Sequence, residues 1–255
     1  MRDSKRLTHW VVMLLLPVLG GCATTPQAGG QNTGALSSYN HAMFSFNMTV
    51  DKAVLRPVAK GYVAVTPRPI RHRVSDFFSN LGDVPVTVNA LLQFKLGQAA
   101  QDLTRLVFNT TFGLFGLFDV ASDWGLPQHE DDLGMTLARW GVPQGPYIII
   151  PFFGPSTLRN SLSPLIDGVY LNPLYYYPYP TVQWSATALK VTEERAQLLP
   201  LDSSLDQAYD PYTFMRDAYL QHRHYVLEQN NPSPAKKKPA LTPLQQQLLE
   251  MQGGQ

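Results

Sequence analysis

Apolar residues recur at helical spacing through most of the chain. Residues 40–55 contain neither Pro nor Gly. On a helix drawn through them, Met43, Phe46, Val50 and Val54 share one arc, and Phe44, Met48 and Leu55 share a second. Asn47 and Asp51 lie between the arcs, with Ser45, Thr49 and Lys52 opposite. A surface helix of a soluble protein carries one apolar stripe. Two arcs predict a helix inside a core, or one packed on protein with one arc and on lipid with the other; taken alone, this segment favours the core. Ile70, Val74, Phe77, Phe78 and Leu81 form the next helical stripe, entered near Pro69. Val84, Val88, Leu91 and Leu92 form another, opened by Pro85, and Ala99, Leu103, Leu106 and Val107 continue the pattern over 98–107. Further helices are predicted over 184–198 and 210–227, the latter with an Asp210 N-cap and Pro211 in its first turn.

Two segments break the period. Residues 112–118 read Phe-Gly-Leu-Phe-Gly-Leu-Phe. They are too few to span a bilayer, so they form either a buried joint between helices or a membrane-dipping segment. Residues 141–180 hold eight Pro and four Gly in 40 positions, which excludes a long helix. Within them 148–150, Ile-Ile-Ile, suit a short strand. Phe152, Phe153 and the tyrosines of 175–179 suit either a loop packed over a helical core or the interface of a membrane, where ring and hydroxyl find different solvents.

Composition adds a hint about surroundings. Charged residues make up 15% of 255, with 20 basic against 19 acidic; soluble domains average about 25%. The balance excludes a strongly basic nucleic-acid binder, and the low fraction implies that part of the surface faces something other than water. At the N-terminus, Arg2, Lys5 and Arg6 precede an apolar run from Trp10 to Leu19, the length of a signal-peptide core. Leu19-Gly20-Gly21-Cys22 follows, and Cys22 is the single cysteine. The register resembles a bacterial lipoprotein box, in which the thiol takes a diacylglyceryl group and the chain is cut before it; two or more acyl chains anchor stably. Ala23 in place of Asp resembles the outer-membrane-sorted pattern. The expected organisation is a signal peptide over 1–21, a lipidated tether over 22–38, a helical domain over 39–228 and a largely disordered tail over 229–255, whose Lys236, Lys237 and Lys238 read as solvated.

The search for chemistry is nearly empty. The chain has no G-x-S-x-G, H-E-x-x-H or phosphate-binding loop. His129-Glu130-Asp131-Asp132 gathers hard-metal ligand types, but adjacent carboxylates point apart, so solvated loop or helix-start acids are expected. Asp83, Asp102, Asp119 and Asp167 read as caps or turn residues. No catalytic residue, metal or cofactor is predicted. Arg68, Arg71 and Arg73 crowd the first turn of a predicted helix, where bases oppose the macrodipole. They mark an external anion such as a phosphate headgroup, or a solvated charged turn.

Several blocks in one order resemble the MlaA (VacJ) family of Gram-negative outer-membrane lipoproteins. They are Met43-Phe44-Ser45-Phe46-Asn47, Arg56-Pro57-Val58-Ala59-Lys60-Gly61-Tyr62, Val74-Ser75-Asp76-Phe77-Phe78-Ser79-Asn80-Leu81, Gly116-Leu117-Phe118-Asp119-Val120-Ala121, Leu126-Pro127-Gln128-His129-Glu130-Asp131-Asp132-Leu133-Gly134, Gly145-Pro146-Tyr147 and Gly154-Pro155-Ser156-Thr157-Leu158-Arg159. Ser37-Ser38-Tyr39-Asn40-His41 stands where the family has Asp-Pro and acidic residues. The resemblance implies an all-α, ring-like body in the inner leaflet of the outer membrane, facing the periplasm. It implies a polar channel that removes phospholipids misplaced in the outer leaflet, with trimeric porins and a soluble periplasmic lipid-binding protein as partners. It also implies a gating hairpin loop over 141–158, with Gly141, Pro143, Gly145, Pro146, Pro151, Gly154 and Pro155 as candidate gating residues. Bulkier side chains at Gly145 or Gly154 are expected to stiffen that loop. The competing functions are a structural lipoprotein that braces porins and a lipoprotein phospholipase.

Overall fold

The computed structural model describes residues 35–230; Cys22, the signal peptide and the basic tail lie outside the described residues. Helix begins at Ala35, inside the stretch expected to be tether, and the last helix runs on to Asn230. We label the longer elements α1 (Ala35–Val50), α2 (Arg56–Val65), α3 (Arg68–Leu92), α4 (Leu96–Thr111), α5 (Leu133–Arg139), β1 (Tyr147–Ile150), β2 (Gly154–Thr157), α6 (Pro180–Leu198) and α7 (Pro211–Asn230). The body is helical, as the periodicity predicts, with one antiparallel hairpin in the Pro-rich segment, paired from Tyr147 with Thr157 to Ile150 with Gly154.

A π-helical turn, Asp51–Leu55, joins α1 to α2. Pro57 stands in the first turn of α2. Its missing N–H and its ring disturb the preceding turn, and a widened turn absorbs that disturbance without ending the helix. The turn carries Asp51 against Arg195 of α6, with Nε–Oδ1 at 2.5 Å and Nη2–Oδ2 at 3.1 Å.

Pro85 does not open a new helix: α3 runs through it as one 25-residue helix. The next turn bonds back onto the local carbonyls, Thr87 Oγ1 to Asp83 O at 2.7 Å and Asn89 Nδ2 to Pro85 O at 2.9 Å. Neither bond reaches Leu81 O, the carbonyl that Pro85 leaves without its ladder donor, so the packing of α3 on α4 and α6 carries the helix through the proline. α4 lies along α3, α6 lies against α2 and α3, and α7 lies against β2. Asp210 caps α7 as predicted, accepting from Thr213 Oγ1 at 2.6 Å and from the Tyr212 N–H at 3.1 Å.

Burial is inverted relative to a soluble domain. Among the described residues 16 buried side chains are polar or charged and 11 are apolar. The small apolar core holds Tyr147, Ile149 and Tyr212, with Met43, Phe44, Met215 and Tyr219 against it. In the first arc Met43 packs on this core, but Phe46 of α1 and Val54 of the π-turn are exposed, Val54 by 53%, so burial of both arcs does not hold. Residues 112–118 are not a buried joint either: Phe112, Leu114, Phe115 and Phe118 all face outward. No helix of the described residues is long and apolar enough to cross a membrane.

Candidate functional site

Five chain segments and the N-cap of α5 bring polar and apolar side chains together around one cavity of about 370 Å³. The middle of α3 supplies Phe78 and Leu81, β2 supplies Pro155 and Ser156, the segment after the hairpin supplies Asn160 and Asp167, and α6 and α7 supply Lys190 and Arg223. Asp132, the N-cap of α5, takes the Met135 N–H at 2.8 Å and also lines the cavity. It pairs with Arg223 in a fork, Nη1–Oδ2 at 2.6 Å and Nη2–Oδ1 at 3.1 Å. Asp167 accepts from the Leu133 N–H and from Asn89 Nδ2, both at 2.8 Å. Burial pushes the Asp167 carboxyl upward, and those two bonds pull it back. Burial and the charge of Arg223 hold nearby Arg159 below the usual guanidinium range.

Two glycines keep the cavity open. Gly82 lies mid-helix in α3 and Gly168 in the π-turn Ile166–Tyr170. Both line the cavity, and a Cβ on either meets nothing within 4 Å. A mid-helix Gly costs about 1 kcal/mol relative to Ala, and the site that Gly82 leaves empty is cavity space.

The hairpin forms one wall, and two asparagines on one face of α1 hold it. Asn40 Nδ2 donates to Tyr147 O at 3.0 Å and Asn40 Oδ1 accepts the Ile149 N–H at 2.9 Å. Seven residues on, Asn47 repeats the pattern, donating to Ile150 O at 3.0 Å and accepting the Phe152 N–H at 2.8 Å. Each amide reproduces the donor and acceptor of a neighbouring strand, so the helix satisfies an otherwise open sheet edge. Sequence reasoning placed Asn47 between two apolar arcs and gave neither asparagine a role; the seven-residue spacing of two amides on one helical face was the available signal.

The residues expected to gate take distinct places. Gly141 ends the turn after α5, Pro143 and Pro146 lie on the approach to β1, Pro151 lies in the hairpin turn, and Pro155 faces the cavity from β2. Gly145 has φ +69° and Gly154 φ +86°, and a Cβ on Gly145 would stand 2.9 Å from the Leu158 Cβ. Bulkier residues at either position therefore strain the hairpin and do not simply stiffen it.

Of the three arginines expected at a headgroup, one is already engaged. Arg73 is engaged within the chain, donating to Leu117 O at 3.1 Å, pairing with Asp76 at 3.1 Å and covering the Phe118 ring at 4.4 Å. Arg71 is half-buried and Arg68 is exposed.

Of the carboxylates read as caps or solvated loop groups, Asp119 and Asp132 are caps and Glu130 is exposed, but Asp83, Asp102 and Asp131 are buried partners. Arg105, 1% exposed, lies 3.6 Å from Asp83 and takes both oxygens of Asp119 at 3.1 Å. Asp102 meets His129 Nδ1 at 2.6 Å. Asp131 is held by Lys95 at 3.0 Å and by Gln93 at 2.6 Å. The acids of 130–132 do point apart, each to its own partner. Asp119 does cap a turn, taking the Ser122 N–H. Among the described residues no group of three or more His, Cys, Asp or Glu could hold a metal.

The outer surface is the counterpart of this interior. Phe94, Leu114, Phe115 and Phe152 all have positive φ, a region that costs a bulky residue on the order of 1 kcal/mol or more. Each is turned outward, Phe94 by 85% and Phe115 by 76%. Trp124, Trp140 and Trp184 are exposed as well. Burial of apolar surface does not compensate this backbone cost in water.

A greasy exterior around a charged interior defines a class of helical protein whose solvent is not water alone. The MlaA lipoprotein family model matches residues 33–226, and the chain belongs to that family. The intermembrane phospholipid transport system lipoprotein MlaA of Escherichia coli is 35% identical over 214 residues, covering 82% of this chain and 84% of the relative. The Haemophilus influenzae protein of the same name is 31% identical over 87% of this chain and 90% of its own. A solved structure described as "Structural basis for maintenance of bacterial outer membrane lipid asymmetry" superposes with a TM-score of 0.66 at 34% identity, over 76% of this chain and 99% of that one.

Proposed function

We propose that this chain is an outer-membrane lipoprotein that removes misplaced phospholipids from the outer leaflet and passes them to a periplasmic carrier. Its anchor is a diacylglyceryl group on Cys22, and its body lies in the periplasm-facing leaflet. The headgroup path is the cavity between α3, the hairpin and α7. A trimeric porin holds the body in place. Support comes from the family, from relatives named for phospholipid transport, and from the apolar residues held outward.

The observation that carries the reading is the cavity wall, where Asp132, Asp167, Lys190 and Arg223 stand among Phe78, Leu81 and Pro164. Lipid flip-flop is slow because a headgroup must cross hydrocarbon, where an unsatisfied polar group costs several kcal/mol. A wall with both polar and apolar patches solvates the headgroup while tails stay in lipid. No covalent bond changes, so no catalyst is required. His129 and Asp102 form an acid–imidazole couple, but among the described residues no serine, threonine or cysteine hydrogen-bonds to His129. The hairpin closes one wall through Pro155 and Ser156, and its release from Asn40 and Asn47 widens the path.

Gly168→Trp tests the path, since its Cβ enters open space. The expected result is phospholipid accumulating in the outer leaflet and cells sensitised to detergent, at normal protein level. Unchanged outer-leaflet lipid with the indole seated in the cavity removes the proposal. Cys22→Ser is expected to release the body from the outer membrane into the periplasmic fraction; full retention means that the body holds itself.

A further inference from the structure

The charges on the cavity wall cancel. Two carboxylates, Asp132 and Asp167, face two cations, Lys190 and Arg223. They are not equally free. Arg223 and Asp132 satisfy one another through a two-bond fork, the strongest ion-pair geometry, so that pair is not an open phosphate clamp. Lys190 is held by Glu194, one helical turn away at 2.5 Å, with 35% of the lysine side chain and 57% of the glutamate exposed. Exposed i,i+4 pairs are weak, so this ammonium can turn to another anion. The carboxylate of Asp167 accepts one N–H on each oxygen and a further bond from the Ser163 side chain, which leaves it one acceptor site.

We infer that the cavity selects a zwitterionic headgroup over one of net negative charge, with the lipid phosphate drawn to Lys190 and the headgroup ammonium drawn to Asp167. This rests on the transport reading above. A basic cleft would favour any phospholipid by its phosphate alone. In this cavity a phosphatidylglycerol headgroup meets Lys190 through its phosphate but offers Asp167 only neutral hydroxyls and no cation. A zwitterion meets both charges with their complements. Phe78, Leu81 and Pro164 stand beside these groups, where the first carbons of acyl chains would lie, which points to an intact lipid as the ligand. The volume of about 370 Å³ holds a headgroup and its glycerol but not two whole tails.

The test uses the full-length lipidated protein and vesicles of equal parts phosphatidylethanolamine and phosphatidylglycerol carrying photoactivatable chains, with crosslinks to cavity residues counted for each lipid. The expected preference for phosphatidylethanolamine is roughly fivefold to tenfold, the effect of one partly buried charge. Asp167→Asn retains an acceptor for the Leu133 N–H and is expected to bring the ratio to one or below. Lys190→Gln, at the exposed edge, is expected to lower labelling by both lipids, phosphatidylglycerol the more. An even ratio in the wild type, or a ratio that neither variant moves, overturns the selectivity while labelling that Gly168→Trp abolishes keeps the path itself. A cavity that takes no label at all, together with unchanged lipid asymmetry in Gly168→Trp, overturns the transport reading.

Discussion

The seam between α3 and α4 and the pocket under the hairpin are both interior, yet they are built from opposite materials. At the seam Arg105, Asp83, Asp102, Asn80 and Asn109 are buried, and Asn109 both donates to Asp119 at 2.9 Å and accepts the Ala121 N–H at 2.9 Å. Under the hairpin Tyr147 and Ile149 pack on Tyr212, with Tyr147 and Tyr212 edge to face at 6.3 Å. The difference follows from what surrounds each. On the proposed placement of the body in a leaflet, α3 and α4 face acyl chains, where association brings no hydrophobic gain because lipid is as apolar as leucine, and polar contacts hold the helices together. Under the hairpin Met43, Phe44 and Met215 cover the cluster, so apolar side chains meet one another there and burial in protein holds them.

Removing the charge that organises the seam should have the largest effect. Arg105→Met leaves Asp83 and Asp119 without their cation, and breaking a buried pair in this way costs about 3–5 kcal/mol. Denaturant unfolding of the purified protein in detergent is expected to show that loss; a variant within 1 kcal/mol of wild type would mean that the seam is not held electrostatically. Ile149→Ala attacks the other interior and is expected to cost about 2–4 kcal/mol through a cavity under the hairpin. Protease cleavage within 147–157 should rise in this variant, while α3 and α4 keep their protection. If both regions loosen together, the two interiors are one cooperative unit and the contrast is only compositional.

A pH scan sharpens the contrast further. Burial pushes the Asp83 carboxyl up to about 7 against the pull of Arg105. The folded form therefore binds this proton more tightly than the unfolded chain, whose carboxyl has its ordinary value of 3.8. This contribution to stability is fully present below about 4 and falls as pH rises toward 7. Asp83→Asn is expected to flatten that slope; an unchanged slope assigns it to another group. The smallest effect belongs to the hairpin edge. Asn47→Ala removes two bonds of about 1 kcal/mol each, partly replaced by water because the residue is half-buried. Faster amide exchange at Phe152 with unchanged global stability is the expected outcome. Asn40→Ala should cost more, because Asn40 is fully buried and leaves two main-chain groups unsatisfied.

Helices and their ends were readable where a local rule sufficed. The spacing of Ile70, Val74, Phe77 and Phe78, and the Asp210-Pro211 start of α7, depend only on neighbours within a few residues. The strand at 148–150 was readable from its β-branched run between prolines. Pro85 misled, because the cost of a missing ladder bond is local, whereas the packing on α4 and α6 that carries α3 through it comes from distant parts of the chain. Asp83 and Arg105 are 22 positions apart and Asp132 and Arg223 are 91 apart, so no local pattern announces either pair.

Composition, the signal-like N-terminus and the ordered family blocks were determined by the sequence alone, since each depends on residue types and short spacings. Which apolar residues face outward was decided only by the tertiary structure. An apolar arc looks the same whether protein or lipid covers it, and only the chain packing of α1, α3 and the hairpin leaves Phe94, Phe115 and Phe152 on the outside and four balanced charges within.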